Sequence, residues 1–256
     1  IENARLFQEA IEKQKMEDDL KIAREIQQGL LPRVLPHIEG FDLAATNVSS
    51  KQVGGDYYDV VQRDENDYVI AIGDVSGKGT PAALLMANVQ AALRAIVPLE
   101  PSLSLATARI NDLLCLNTGQ DKFITFFWGI LHWRDRTFRF VNAGHNQPFL
   151  IRENGQVKRL EEGGLILGML ATSTPYEEGF ITLNKGDALI LFTDGVSEAM
   201  NAFDEDFTEE RLEEILIRAR NGSALEILNC VLTEIESYSR GTPQSDDLTL
   251  VVLKAL

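Results

Sequence analysis

The first 31 residues carry a helical pattern of apolar positions. Five positions are spaced alternately four and three residues apart: Met16, Leu20, Ala23, Gln27 and Leu30. Strong helix formers surround this stripe, which predicts a helix over residues 1–31 that ends before Pro32. Two interpretations stay open: a parallel coiled coil that joins two copies of the chain, or an amphipathic helix that lies on its own domain.

From Phe41 onward, short β-rich runs alternate with polar turns, a pattern typical of strands. The runs predict four hairpins, over residues 58–75, 126–144, 148–160 and 180–195, and a last strand in residues 246–256. The third hairpin has Asn154-Gly155 at its centre, a strong signal for a tight turn. Antiparallel pairing is favoured because parallel neighbours need long crossover connections.

Helical periodicity interrupts the strands in two blocks. The predicted helices cover residues 81–97, 103–116, 208–220 and 223–238. In the last of them Ser223 and Glu226 have the spacing of a capping box. Strands, two helices, strands, two helices and a final strand together predict an α+β layered sandwich with its helices packed outside the sheets.

Charge and composition exclude several classes of protein. The chain has 39 acidic and 24 basic residues, a net charge of −15, which would repel nucleic acid and anionic lipid surfaces. No apolar run approaches the roughly 18 residues of a membrane span. Cys115 and Cys230 have no metal-binding or redox spacing and indicate a reducing, cytoplasmic compartment. Because the chain begins at Ile1 inside a helical pattern, we expect it to be part of a longer protein.

The stretch AIGDVSGKGTPAALL, residues 71–85, partly matches two phosphate-binding loops. As a P-loop it has one residue too few between its glycines, and as a dinucleotide-binding loop it lacks a βαβ unit. A turn from a strand into a helix that begins near Pro81 accounts for the glycines. It does not account for Asp74, a charge placed directly after an apolar run.

Asp74 is one of several acidic residues at the boundaries of β-rich runs. The others are Asp56, Asp194, Asp246 and Asp247. Each one alone is more often a turn residue or a helix cap. If a packed sandwich brings them together, their mutual repulsion requires a cation, and Mg²⁺ or Mn²⁺ takes such oxygen ligands. A pair of these ions about 3.5–4 Å apart would support hydrolysis of a phosphate ester.

Six segments in order carry a resemblance to a known family: AREIQQGLLPRVLP, VGGDYYD, GDVSGKGTPAALLMA, NAGHNQPFL, LFTDGVSEAMN and DDLTLVV. Together they resemble the bacterial PPM-type, protein phosphatase 2C-like, metal-dependent serine/threonine phosphatases of the branch that contains RsbU and the stage II sporulation phosphatase E. The resemblance implies an αββα sandwich of two mainly antiparallel sheets. It also implies a helical linker at residues 1–33 and a phosphatase domain at residues 34–256.

The same resemblance implies a centre of two divalent ions, Mn²⁺ or Mg²⁺. Asp74 would bridge both ions and the Val75 carbonyl would bind one, while the other carboxylates would come from Asp56, Asp194 and Asp246. Asp247 and Asp59 rank below these four aspartates. Ser76 stands where better-studied relatives have a histidine, so the general acid is open.

The sequence leaves three further questions open: which cation binds the phosphate, what His145 does, and whether residues 161–179 move. No arginine near Asp56 is an evident phosphate clamp, and Lys51 is the nearest cation in the sequence. His145 is either a general acid or, as we favour, a structural residue. Residues 161–179 form either a mobile flap over the site or a plain connection with a buried strand.

The function implied is a cytoplasmic phosphatase that acts on phosphoserine or phosphothreonine of a STAS-domain anti-sigma-factor antagonist. An upstream sensor would act through a homodimer formed by residues 1–31, and would shift the two helices that follow Asp74. Two alternatives stay open. One is a non-catalytic adaptor with the same fold, and the other is a hydrolase of nucleotides or other small phosphoesters.

Overall fold

The computed structural model describes residues 2–118 and 122–256. The helices are α1 (Glu2–Leu30), α2 (Thr80–Ile96), α3 (Leu103–Asn117), α4 (Asp194–Ser197), α5 (Glu209–Ala219) and α6 (Ala224–Tyr238). The strands are β1 (Phe41–Val48), β2 (Tyr57–Gln62), β3 (Asp67–Val75), β4 (Ile124–His132), β5 (Thr137–Ala143), β6 (Phe149–Ile151), β7 (Val157–Arg159), β8 (Gly163–Gly164), β9 (Gly179–Thr182), β10 (Ala188–Phe192) and β11 (Leu248–Ala255).

Two sheets pack face to face between two pairs of helices. The five-stranded sheet has the order β1-β11-β10-β6-β7, and the six-stranded sheet has the order β2-β3-β4-β5-β8 with β9 paired to β5. Apolar side chains of α2 and α3 cover the outer face of the six-stranded sheet, and those of α5 and α6 cover the outer face of the other. The predicted αββα sandwich is therefore confirmed.

The space between the two sheets is filled mainly by aromatic and branched side chains. Phe127, Phe138 and Phe140 stack on one another, and the ring centroids of Phe127 and Phe140 are 5.4 Å apart. Leu189 and Val251 of the facing sheet belong to the same buried cluster. Burying this much apolar surface from both sheets fixes their relative position, and with it the positions of the strand ends.

Three of the four predicted hairpins are present, and the fourth is wrong. The pairs β2–β3, β4–β5 and β6–β7 are antiparallel neighbours. However, β9 pairs with β5 of the six-stranded sheet, whereas β10 lies between β11 and β6 of the other. Alternate residues of β9 are exposed, as suits an edge strand, while β10 is buried throughout. The turn between them therefore carries the chain from one sheet to the other.

Helix α1 packs on the sandwich through its C-terminal end. Gln27 is buried, and Leu30 packs against the core under α2. Earlier apolar side chains of the helix, among them Phe7, Ile11 and Met16, are exposed. The last two positions of the predicted stripe thus contact the chain's own domain. None of the described helices is both long and apolar enough to cross a membrane.

Candidate active site

The predicted aspartates lie at strand ends that share one edge of the sandwich. Asp56 precedes β2 and Asp74 lies near the end of β3, and because these strands are antiparallel the two ends are adjacent: Tyr57 pairs with Gly73. In the other sheet Asp194 follows β10 and Asp246 precedes β11, and these strands are also antiparallel neighbours. Each sheet therefore contributes two acidic residues to the same edge.

Asp56 is buried at this edge, and Asp74 beside it is half-buried. Asp56 is 3% exposed and accepts hydrogen bonds from Thr193 Oγ1 at 2.7 Å and Thr249 Oγ1 at 2.6 Å. Burial, and then the charge of Asp74, raise the pKa of Asp56 well above its usual range. The two carboxyl groups therefore cannot both carry a charge at low cost unless a cation is present.

The charges at this edge also act on Asp74 and Asp194. Burial raises the pKa of Asp74 to about 7, with further contributions from the charges of Asp194 and Asp246. The pKa of Asp194 is raised as well, first by burial and then by the charge of Asp246. Carboxylates contributed by both sheets thus disfavour one another's ionisation, as expected of a site built to receive positive charge.

Lys78 already supplies one positive charge to this edge. Its Nζ lies 2.7 Å from Asp246 Oδ2 and donates a hydrogen bond to the Ser245 carbonyl at 2.7 Å. Lys51, the cation nearest to Asp56 along the sequence, is exposed. The missed signal was the position of Lys78 between two glycines of the turn that carries Asp74, because that turn lies where the strand ends meet.

Asp247 holds the turn before β2, and its charge adds a smaller contribution to the raised pKa values of Asp56, Asp74 and Asp194. It accepts hydrogen bonds from the backbone N–H groups of Ser50 and Gly55, both at 2.7 Å. A Cβ atom at Gly55 would lie 2.9 Å from the Val75 carbonyl oxygen, too close without a shift of the backbone. Glycine at this position therefore lets the Val75 carbonyl approach the segment that carries Asp56.

Asp59 lies away from the acidic edge. Its carboxylate is buried and accepts hydrogen bonds from Arg94 Nε at 2.8 Å, Arg94 Nη2 at 3.0 Å and the Tyr57 hydroxyl at 2.8 Å. These contacts join β2 to α2. Asp59 is therefore a structural ion-pair partner, which agrees with its lower rank in the sequence.

The donor set at this edge fits a divalent cation by its chemistry. Carboxylate and carbonyl oxygens are the ligands that Mg²⁺ and Mn²⁺ take. Across residues 2–118 and 122–256, however, no three Asp, Glu, His or Cys side chains come close enough to hold one ion together. The structure thus brings the aspartates to one edge without closing them into a ligand set.

His145 has the contacts of a structural residue. Its Nδ1 lies 2.9 Å from Thr125 Oγ1, and its backbone N–H donates to Asn142 Oδ1 at 2.7 Å. Burial lowers the pKa of the imidazole to about 4, against a smaller opposing contribution from the backbone of Phe192. Because the ring is neutral at pH 7, it holds no ready proton for a leaving group. These contacts agree with the structural role that we favoured.

Ser76 and residues 161–179 are both held by their neighbours. Ser76 Oγ accepts a hydrogen bond from the Phe123 N–H at 3.0 Å. In the 161–179 segment, the Gly168 N–H donates to Asn111 Oδ1 and the Thr172 N–H to Asp112 Oδ1, each at 2.8 Å. The segment is therefore tied to α3, and its short strand β8 is not buried, unlike the strand expected of a plain connection.

The αββα sandwich and its shared edge of aspartates define a phosphatase domain of the protein phosphatase 2C class. The sequence profile of the stage II sporulation protein E (SpoIIE) family matches residues 64–256. The chain belongs to this family, and the family resemblance stated from its six motifs is confirmed.

Three similar proteins illustrate this relationship. Phosphoserine phosphatase RsbU of Bacillus subtilis is 31% identical over 246 residues, which cover 94% of this chain and 71% of RsbU. Protein IcfG of Synechocystis sp. is 28% identical, over 92% of this chain but only 41% of IcfG. The solved SiaA-PP2C domain of Pseudomonas aeruginosa superposes with a TM-score of 0.83 and 20% identity, covering 96% of this chain and 98% of that domain.

Proposed function

We propose that this chain hydrolyses phosphoserine or phosphothreonine on a protein partner, with two divalent cations held at the acidic edge. One observation carries the proposal: Asp56 and Asp74 lie at adjacent strand ends, and burial together with nearby negative charge raises the pKa of both. Leaving such carboxylates without a counter-charge is costly. The solved catalytic domain of PstP, which has this fold with a TM-score of 0.60, is described as a complex with two manganese ions.

The residues of the centre have distinct roles in this proposal. Asp74 would hold the ions together with Asp56 of its own sheet, with which it shares a hydrogen bond, and with Asp194 and Asp246 of the other sheet, whose charges act on it. The Val75 carbonyl would add a neutral oxygen ligand. When bound, the two ions would supply a water of lowered pKa and a Lewis acid for a phosphoryl oxygen. The protein's own part is to hold the four carboxylates in place, and the positive charge of bound ions would offset the burial and repulsion that raise the pKa of Asp56, Asp74 and Asp194.

A phosphorylated protein is the substrate that best fits the comparisons. RsbU, which covers nearly the whole chain, is named a phosphoserine phosphatase. The resemblance to its branch implies a STAS-domain anti-sigma-factor antagonist as the partner, in the cytoplasm. A net charge of −15 disfavours nucleic acid as a competing partner.

Helix α1 would connect this centre to an upstream sensor. Phe7, Ile11 and Met16 are exposed on the helix, with exposed fractions of 70%, 48% and 65%. Large apolar side chains on a long exposed helix favour association with a second copy, so we infer a homodimer formed through residues 1–31.

A direct test compares phosphate release from a phosphorylated STAS-domain protein and from free nucleotides, with Mn²⁺ and after chelation. We expect release from the phosphoprotein only with Mn²⁺, and at a far higher kcat/KM than from nucleotides. Equal turnover of nucleotides would instead favour a hydrolase of small phosphoesters. Stable binding of the phosphoprotein without any release would favour the non-catalytic adaptor.

A further inference from the structure

Gln27 makes an unusual contact for a residue of a solvent-exposed helix. Among the residues of α1 whose side chains are described, it is the only one that is buried, at 8% exposure. A buried amide needs partners for both its donor and its acceptor. Gln27 finds them in one residue of a neighbouring segment, Gly54.

The two hydrogen bonds take up both backbone polar groups of Gly54. Gln27 Nε2 donates to the Gly54 carbonyl at 2.6 Å, and the Gly54 N–H donates to Gln27 Oε1 at 3.0 Å. This is the exchange of bonds that a residue of an adjacent antiparallel strand would make. Gly54 lies before β2 begins, so the side chain of Gln27 satisfies backbone groups that a neighbouring strand would satisfy within the sheet.

Gly54 is two residues from Asp56, and the intervening backbone has little freedom. The Gly55 N–H donates to Asp247 Oδ2 at 2.7 Å. A Cβ at Gly55 would already meet the Val75 carbonyl oxygen at 2.9 Å. Consecutive Cα atoms are about 3.8 Å apart, so Gly54 and Asp56 are separated by only two such steps. Because Gly55 between them has little room to adjust, a displacement of Gly54 also displaces the backbone of Asp56.

We propose that Gln27 is a positioning residue that holds the Gly54–Asp56 backbone where the Asp56 carboxylate reaches the metal centre. The inference rests on the proposed function, because it takes Asp56 as a ligand. It also gives α1 a route to the centre that does not pass through the helices after Asp74. The contact along that other route is weaker, since Gln90 Nε2 lies 3.4 Å from the Leu30 carbonyl.

The test is a calorimetric titration of Mn²⁺ into the whole chain, comparing wild type, Gln27→Met and Gln28→Met. Methionine keeps the length and helix propensity of glutamine but forms neither hydrogen bond. Gln28 is the matched control because it is the next residue of the same helix and is exposed. We expect Gln27→Met to weaken Mn²⁺ binding by about tenfold or more, the usual effect of losing a group that orients a ligand. Gln28→Met should bind as wild type does.

A second variant guards against a loss of folding in the first. Gln27→Glu keeps an acceptor for the Gly54 N–H but has no donor for the Gly54 carbonyl, so it too should weaken Mn²⁺ binding. Circular dichroism before each titration shows whether a variant is folded. Raising the Mn²⁺ concentration should restore kcat of the Gln27 variants, because their four carboxylates are intact.

The outcomes separate this inference from the function on which it rests. A wild-type chain that binds no Mn²⁺ contradicts the proposed metal centre. A wild-type chain that binds Mn²⁺, together with folded Gln27 variants of the same affinity, contradicts only the role of Gln27. Equal weakening in Gln27→Met and Gln28→Met would also contradict it, because a general effect on the helix would then suffice.

Discussion

At the scale of single residues, the acidic edge is a problem of charge balance. Asp56 is tied to two threonine hydroxyls, while Asp246 is paired with Lys78. Hydrogen bonds and one ammonium group offset only part of the repulsion, as the raised pKa of Asp74 shows. A divalent cation would have to replace the lysine at Asp246.

Lys78→Ala should therefore bind Mn²⁺ more tightly than wild type. The Lys78–Asp246 pair is partly exposed, with 39% and 30% of the side chains accessible. Such pairs contribute up to about 1 kcal/mol, so we expect an affinity gain of about twofold to fivefold in a calorimetric titration. Lys51→Ala, which removes an exposed lysine from the turn before β2, is the control. Weaker binding by Lys78→Ala would show that the lysine supports the ion rather than competing with it.

The buried imidazole of His145 should make stability depend on pH. Its pKa falls from an ordinary 6.5 to about 4 in the folded chain, so between these values the unfolded chain binds more protons. Stability is then fully present above pH 6.5 and is lost as the pH falls toward 4, by about 3 kcal/mol. The raised pKa values of Asp56 and Asp74 act in the opposite direction in both proteins, so urea unfolding at several pH values should show the His145 contribution as a stability difference between wild type and His145→Asn that changes by this amount as the pH falls toward 4. Parallel curves for the two proteins would contradict it.

At the scale of elements, the antiparallel pairings place the site. The register that puts Tyr57 opposite Gly73 also puts Asp56 beside the end of β3. A shift of one residue would turn the alternating side chains of β2 to the opposite face. The ion pair of Asp59 with Arg94 joins this strand to α2, so it supports the register without belonging to the site.

Arg94→Met should therefore lower stability without changing Mn²⁺ affinity. It leaves the Asp59 carboxylate, which has 0% of its side chain exposed, without its cationic partner. Removing one partner of a buried ion pair costs about 3–5 kcal/mol, and we expect the lower end because Arg94 itself is partly exposed. Denaturant unfolding measures the loss. A large change in the Mn²⁺ dissociation constant of the folded variant would instead place Asp59 in the metal centre.

Elements that are determined by local sequence could be predicted, whereas those determined by the assembled fold could not. Local turn chemistry and alternation sufficed for three hairpins, and the capping box of Ser223 is present as predicted. The pairing of β9 was missed because it is decided by which sheet has a free edge, a property of the assembled sandwich. The aspartates could be found at strand ends in the sequence. Lys78 could have been found from its place in the turn of Asp74. Its pairing with Asp246 and the contact of Gln27 with Gly54 could not, since each joins segments far apart along the chain.

At the scale of the whole molecule, α1 has two separate functions in our account. Its exposed N-terminal part would associate with a second copy, and its C-terminal end would hold the segment before β2. These functions are divided between Met16, which is exposed, and Gln27, which is buried. A chain cut between them should lose one function and keep the other.

Truncation at two points tests this division. A chain of residues 24–256 keeps Gln27 and should be monomeric with unchanged Mn²⁺ affinity, whereas residues 32–256 should be monomeric and bind Mn²⁺ about tenfold more weakly. Light scattering after gel filtration gives the oligomeric state, and calorimetry gives the affinity. If residues 1–256 were themselves monomeric, the proposed dimer would be excluded. Equal Mn²⁺ affinity in both truncated chains would exclude a role for the end of α1.

The most direct measurement is the rate of phosphate release from a phosphorylated STAS-domain protein at saturating Mn²⁺, for wild type, Asp74→Asn and Asp135→Asn. Asp135 lies in the turn after β4, at the far end of the strand whose Thr125 pairs with Asp74. We expect Asp135→Asn to release phosphate as fast as wild type. The rate for Asp74→Asn should be at least about 100-fold lower, which is the usual effect of removing one strong electrostatic contact from a transition state. Equal rates for Asp74→Asn and wild type would contradict a metal centre built around Asp74.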